Sequence, residues 1–267
     1  AFGNAADERR VPTGLSADVA QRLLRSMARR AARCSPPATS SFWLQTRDDM
    51  LHLRRLACTR LPVELPDCEW LQAVLLAGRF PLAADALRNS DVDIESAEAI
   101  VVAAAQEYID SASDASDGAL DRAVECLRCL PEQSAAVRSQ LALVDSARLL
   151  AAFGSELLPP QLRNYKEPSH LLLSTVQRCD NPTRRLDDLE RLATALSTAL
   201  IAREDEGDLV VTMRKAVAAR ALELGEHRCA LSETLKLLAG HAGGSADMSG
   251  GELQTWALCE ALVTSAP

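Results

Sequence analysis

The sequence predicts an all-α protein, an irregular α-solenoid of antiparallel helix pairs, and three observations carry that reading. Apolar residues recur at three- and four-residue steps along most of the 267 residues, the spacing that lines up one face of a helix. The apolar supply, 48% of the chain with only 3% aromatic, is mostly Leu, Ala and Val, and Ala and Leu are among the strongest helix formers. No alternating apolar run is flanked by the Asn-Gly or Asp-Gly turns that mark hairpins.

The elements follow in order. Ser16 can cap a helix running to about Cys34, ended by Ser35, Pro36 and Pro37. Ser40 or Ser41 opens a second to about Leu61, stopped by Pro62 and Pro66. Asp67 starts a tight helical hairpin in which Gly78 supplies a positive φ after the first arm and Pro81 opens the second. Asp93 begins a helix through Tyr108, with Ile94, Ala97, Val101, Ala104 and Tyr108 on one stripe. The segment 111–118, SASDASDG, breaks it; a shorter helix covers 120–130, and Pro131 opens the next, to Phe153.

Gly154 closes that helix in a left-handed cap. Pro159 and Pro160 then impose extended backbone before a short turn at Gln161, while Leu157 and Leu158 tuck back onto neighbouring helices. Further helices are predicted near 168–179, 183–202, 207–224, 228–240 and 250–264. The clearest carries Leu186, Leu189, Leu192, Leu196 and Leu200 on one face, about five turns, with Asn181, Pro182 and Thr183 at its start. About eleven helices joined by short Pro/Gly connections must pack as antiparallel neighbours. No strict repeat period is visible, so the solenoid is irregular; a compact all-α domain pair is the competing architecture. Residues 1–267 read as one continuous solenoid with a joint near 154–168, and the non-Met start reads as a piece of something longer.

Composition narrows the function. The formal net charge of −8 speaks against a phosphate-neutralising nucleic-acid face. The longest wholly apolar run, residues 99–105, is far short of the ~20 residues that span a bilayer, and no signal peptide is visible. Eight cysteines dispersed through helical patterns read as reduced, mostly buried thiols of a cytosolic protein rather than a disulfide framework.

Constellations that could carry chemistry are weak. Cys126 and Cys129 form a C-x-x-C without a second pair at zinc-finger spacing, and His52, His170, His227 and His241 are scattered. The pair lies inside a helix near its end rather than after a strand, so burial on one shared face explains it better than redox or metal chemistry. The Gly-rich loop 240–251 has no phosphate-cradle motif and reads as a mobile connection. The adjacent pairs Asp48-Asp49 and Asp187-Asp188 diverge on their helices, and the acidic run 202–208 reads as a solvated connection. No metal, cofactor or catalytic residue is assigned. The cluster Arg22, Arg25, Arg29, Arg30 and Arg33 shares a helix with Leu15, Val19, Leu23 and Met27. It reads first as the polar face of an amphipathic helix and second as a site for an acidic partner or membrane surface. Trp43, Trp70 and Trp256 sit in apolar helical patterns as core or groove residues.

Three strings are more specific: WLQAVLLAGRFPLAADAL (70–87), VVAAAQEYIDSASDASDGALDRAVECLRCLP (101–131) and LALVDSARLLAAFGSELLPPQLR (141–163). In this order the chain resembles the secretory-pathway helical domain of the neuroblastoma-amplified sequence (NBAS) family, of Sec thirty-nine type, over about residues 68–238. The telling positions are Leu75, Gly78, Phe80, Leu82 and Ala83; Glu107, Tyr108, Ser111 and Ala112; and Phe153, Gly154, Leu158, Pro159, Gln161 and Arg163. All are helix-packing positions, so the resemblance transfers no residue-level partner site. The family's N-terminal β-propeller has no counterpart in these residues, and segment 158–170 is more Pro-interrupted and polar than the family pattern.

The resemblance implies a non-enzymatic subunit of the Dsl/NRZ vesicle-tethering complex, acting in Golgi-to-ER retrograde transport. Its implied partners are other tethering-complex subunits and ER SNAREs, with a cytoplasmic location peripheral to the endoplasmic reticulum through those partners. Neither a small-molecule substrate nor direct nucleic-acid contact is expected. The alternative is a helical adaptor in nonsense-mediated mRNA decay, a role of the family's animal members. An enzyme has no constellation behind it.

Overall fold

The computed structural model describes residues 16–34, 39–57, 59, 61–89, 92–200 and 208–241. Expectations for Leu15, the stop at 35–37, the acidic residues 202–207, the loop beyond 241, the helix at 250–264, Trp256, Cys58 and Cys259 lie outside the described residues. The described residues form twelve α-helices and no strand: α1 (Ala17–Ala32), α2 (Ser40–Ala57), α3 (Leu65–Leu76), α4 (Phe80–Asn89), α5 (Ile94–Ser111), α6 (Gly118–Leu127), α7 (Ala135–Ala152), α8 (Pro159–Arg163), α9 (Pro168–Arg178), α10 (Leu186–Ala199), α11 (Leu209–Glu223) and α12 (His227–His241). The protein is all-α, as its apolar spacing predicts.

Several helices begin where a side chain can accept from a first-turn amide that has no intrahelical partner. Asp93 Oδ1 accepts from the Ser96 N–H at 2.8 Å, Asp117 Oδ1 from Ala119 at 2.8 Å and Asp208 Oδ1 from Val210 at 2.9 Å. The same logic corrects several expected starts. Thr39, not Ser40 or Ser41, supplies the acceptor for α2, to the Phe42 N–H at 3.3 Å. Ser16 occupies the cap position of α1, but its hydroxyl makes no cap bond. Pro131 opens no helix; α7 starts later, because Ser134 Oγ accepts from Val137 at 3.2 Å. Pro66 does not stop a helix but sits in the first turn of α3, where its missing N–H costs nothing.

Three helices end on glycine at positive φ: Gly78 at 70°, Gly154 at 78° and Gly225 at 76°. Each makes the paired bonds of a Schellman cap. At α7 the Ser155 N–H reaches Leu150 O and the Gly154 N–H reaches Ala151 O, both at 2.9 Å. The expected left-handed cap at Gly154 is therefore present. The extended stretch expected at Pro159-Pro160 is not: Leu158 before them is extended (φ −80°, ψ 153°), and the two prolines form the first turn of α8. Leu157 and Leu158 stay half-buried, while Ser155, Pro159 and Leu162 are buried.

The described residues divide into two compact units, one from Ala1–Glu107 and Arg122–Glu132, the other from Tyr108–Asp121 and Gln133–Pro267. Segment 154–168 falls within the second. In the first, α1, α2 and α3 pack on one another and α3 on α4. Trp43 and Trp70 are each 1% exposed, and the Trp70 indole N–H donates to the Trp43 carbonyl at 2.8 Å, satisfying the polar atom of a buried indole. Along the part of α5 in this unit, Ala97, Val101 and Ala104 are buried, as is Tyr108 of the second unit, but Ile94 is 79% exposed. Ile94 is the first residue of the helix, one turn before the packed stripe begins.

In the second unit, α10 packs on α7, α9 and α11, and α11 packs on α9 and α12. The α10 stripe buries Leu189, Leu192, Ala193 and Leu196. Leu186 and Leu200 flank it half-buried. The helix is shorter than its pattern suggests, because residues 182–185 form turns before it.

Candidate functional site

The C-x-x-C pair of the sequence is placed in the core. Cys126 is fully buried and Cys129 8% exposed. Their thiols donate to the Val101 and Phe80 carbonyls, each at 3.6 Å. Burial pushes Cys126 up to about 12 and Cys129 up to about 11, so neither supplies a thiolate near neutral pH, the form needed for attack or metal ligation. Cys179 is also buried, but Cys34 and Cys68 are half-exposed and Cys229 is exposed, so the cysteines are less uniformly buried than expected. His52, His170 and His227 are exposed on separate helices. Among the described residues no group of three or more His, Cys, Asp and Glu is placed to hold a metal.

The positions that carry the family resemblance build helix ends and joints. Leu75 is fully buried, and Gly78 closes α3. The Phe80 carbonyl receives the Cys129 thiol, and the Tyr108 carbonyl receives the Ser111 hydroxyl at 2.8 Å. At the α7–α8 joint, Gln161 Oε1 accepts the Leu158 N–H at 3.0 Å, half of a capping box. Arg163 Nη1 lies 3.4 Å from Asp110 of α5. Arg185, ahead of α10, stacks over the Phe153 ring at 3.8 Å and donates to the Ala152 carbonyl at 3.1 Å. The C-terminus of α7 is thus closed twice, by a glycine cap and by an arginine.

Two ion-pair clusters were not visible in local sequence. Glu69 of α3, 6% exposed, receives Arg25 Nε at 2.9 Å, Arg25 Nη2 at 2.7 Å and Gln21 Nε2 at 3.1 Å. Burial alone would raise its pKa, but the bonds from Arg25 and Gln21 outweigh it and hold the carboxyl below its usual value. Arg25 is therefore a tie between α1 and α3, not a member of a free basic cluster. Arg214 of α11 bridges Glu190 of α10 at 2.6 Å and Glu233 of α12 at 3.0 Å, and Lys236 adds 2.6 Å to Glu233. The only local signal for either was a carboxylate inside an apolar stretch, as in Asp-Cys-Glu-Trp-Leu.

Two surfaces among the described residues stand out as able to meet a partner. Between α7 and α10 runs an open groove of about 580 Å³ whose floor includes Leu141, Ala142, Leu149 and Ala195 and whose walls carry Arg138, Asp145, Asp187 and Arg191. An apolar floor with charged rims is the form that accepts the face of another helix. The second surface is the outward side of α1, where Arg22, Arg29, Arg30 and Arg33 are exposed. Val19 and Leu23 lie on that side; the buried face is Ala20, Leu24, Ala28 and Ala31, with half-buried Met27 at its edge. No helix among the described residues is long and apolar enough to cross a membrane.

A family model described as "Secretory pathway protein Sec39" matches residues 16–257. The chain is 26% identical over 221 residues to the MAG2-interacting protein 2 of Arabidopsis thaliana, covering 81% of this chain and 9% of that protein. It is 23% identical over 248 residues to the NBAS subunit of NRZ tethering complex of Homo sapiens, covering 85% of this chain and 10% of that protein. The chain therefore spans about a tenth of the length of these curated relatives.

Proposed function

Because the chain belongs to the secretory pathway protein Sec39 family, we propose that it is a non-enzymatic helical scaffold within a vesicle-tethering subunit acting in Golgi-to-ER retrograde transport. Its partners in this reading are the other subunits of the tether and ER SNAREs, which hold it at the endoplasmic reticulum surface from the cytoplasmic side. The observation that carries the proposal is the family match across residues 16–257, supported by a relative whose name is that of a tethering-complex subunit.

The geometry is compatible with that role in a specific way. Cys126 and Cys129 are packed in the core and Glu69 and Glu233 tie helices together, whereas the α7–α10 groove offers an apolar floor with charged rims. Such a groove gives affinity through apolar anchors at helical spacing and register through its rim charges.

Affinity purification of the full-length protein, with crosslinking to map contacts, tests the reading. Tether subunits and ER SNAREs should co-purify, with crosslinks into α7 and α10. Their absence from a purification that retains the folded protein contradicts it.

A further inference from the structure

We propose that the outward face of α1 docks directly on anionic phospholipid membrane. Position on the helix carries the argument. With Ala20, Leu24, Ala28 and Ala31 buried, a turn of about 100° per residue places Arg22, Arg29 and Arg33 opposite the core, with Arg30 beside them. All four are exposed. Val19 and Leu23 lie along the same side, 41% and 39% exposed.

Among the described residues the charge on this face is largely uncompensated. Asp18 is the one acidic residue of α1. Among the described residues Arg22, Arg30 and Arg33 have no ion pair, and Arg22 Nε reaches only the Asp18 backbone carbonyl at 3.2 Å. Arg29 is within electrostatic reach of Glu69, but Arg25 holds that carboxylate. In a chain of net charge −8, a helix face with four exposed arginines and a single exposed carboxylate, Asp18, is a local reversal of sign, and its complement is an anionic surface.

One feature favours lipid over an acidic protein segment, since the arginine fork pairs with carboxylate as readily as with phosphate. The neighbouring Val19 and Leu23 are aliphatic and exposed, as required of a helix that lies in a headgroup layer with its arginines reaching the phosphates. The inference does not depend on the tethering role, in which partners bring the protein to the membrane.

Flotation of the chain with phosphatidylcholine vesicles, with and without about 30% phosphatidylserine, tests the proposal at low and high salt. Recovery should require phosphatidylserine and fall as salt rises. The variant Arg22→Glu/Arg30→Glu/Arg33→Glu should lose at least about tenfold in partitioning, since each basic residue contributes appreciably near an anionic surface. The corresponding Arg→Gln variant should lose less, and the Arg→Lys variant should keep most of the binding. Val19→Asn/Leu23→Asn should weaken recovery a few-fold while leaving its salt dependence in place. Circular dichroism on each variant checks that the helices persist. Equal recovery on neutral vesicles, or binding unchanged by the charge reversal and by Arg→Gln, overturns the proposal. So does retention on polyglutamate with the same arginine dependence but none on vesicles, which would assign the face to an acidic protein partner.

Discussion

The guanidinium of Arg185 lies 3.8 Å over the ring of Phe153 and donates to the carbonyl of Ala152 at 3.1 Å, so a residue ahead of α10 closes the C-terminus of α7. A cation at that end meets the negative pole of the helix and a carbonyl left without an intrahelical donor. Arg185→Ala should destabilise the protein by about 1–2 kcal/mol, combining a lost stacking contact with a lost charge-assisted bond. Urea unfolding measures this, and Arg185→Lys should fall between the two.

Gly154 gives a cleaner case. A Cβ built there meets nothing within 4 Å, so Gly154→Ala carries only the backbone cost of φ +78°, about 1–2 kcal/mol. Gly154→Asn should cost less, because asparagine tolerates the left-handed region better. A shift in urea midpoint without a change in slope confirms that the effect is on stability.

Glu69 should make stability depend on acid pH. Its pKa is lowered in the folded state, so the folded protein binds fewer protons there than the unfolded chain. The stabilisation is complete above the ordinary carboxylate range and disappears as pH falls through the lowered value. Glu69→Gln should lower stability near neutral pH and flatten the acid limb, the two proteins converging once pH falls below the lowered carboxyl pKa. Parallel curves across that range would show that Glu69 does not supply the slope.

Arg214 is 21% exposed and Glu233 6%, which makes their pairing costly to break from one side. Arg214→Met should destabilise by about 3 kcal/mol, because Glu233 keeps only Lys236 in place of two cations. The double variant Arg214→Met/Glu233→Gln should recover part of that loss, read as a coupling term in a double-mutant cycle.

Thiol labelling separates the cysteines. Cys229 is exposed and should react promptly in native protein. Cys126 and Cys129 should lag by on the order of 10³-fold near neutral pH, given their raised pKa and burial. Denaturant should bring them to the common rate. Fast native labelling of Cys126 would return the C-x-x-C to consideration as reactive.

What the sequence makes legible here is local. Gly78 and Gly154 announce helix ends because a positive φ admits little else, and the leucine spacing of α10 shows its buried face because one side of a helix must be dry. What depends on a neighbour was hidden. Arg25 looks like one of five equivalent arginines until Glu69 of α3 claims it. Leu23 sits at helical spacing from Val19 but faces outward, since the small residues Ala20, Ala28 and Ala31 are what let α1 approach its neighbours. Pro131 matches the pattern of a helix start, yet Ser134 holds the acceptor that decides the boundary. The α7–α10 groove had no signal of its own, because it is made by two helices separated along the chain.

The most direct test of the scaffold reading is quantitative affinity purification of the full-length protein in two forms, wild type and Leu141→Glu/Leu149→Glu. These changes charge the floor of the α7–α10 groove, where both side chains are half-buried rather than in the core. The account predicts that wild type captures tether subunits and ER SNAREs, and that the variant loses at least one of them by about tenfold or more while its circular dichroism and unfolding midpoint stay near wild type. A wild-type protein that captures none of them, or a folded variant that captures all of them equally, contradicts it.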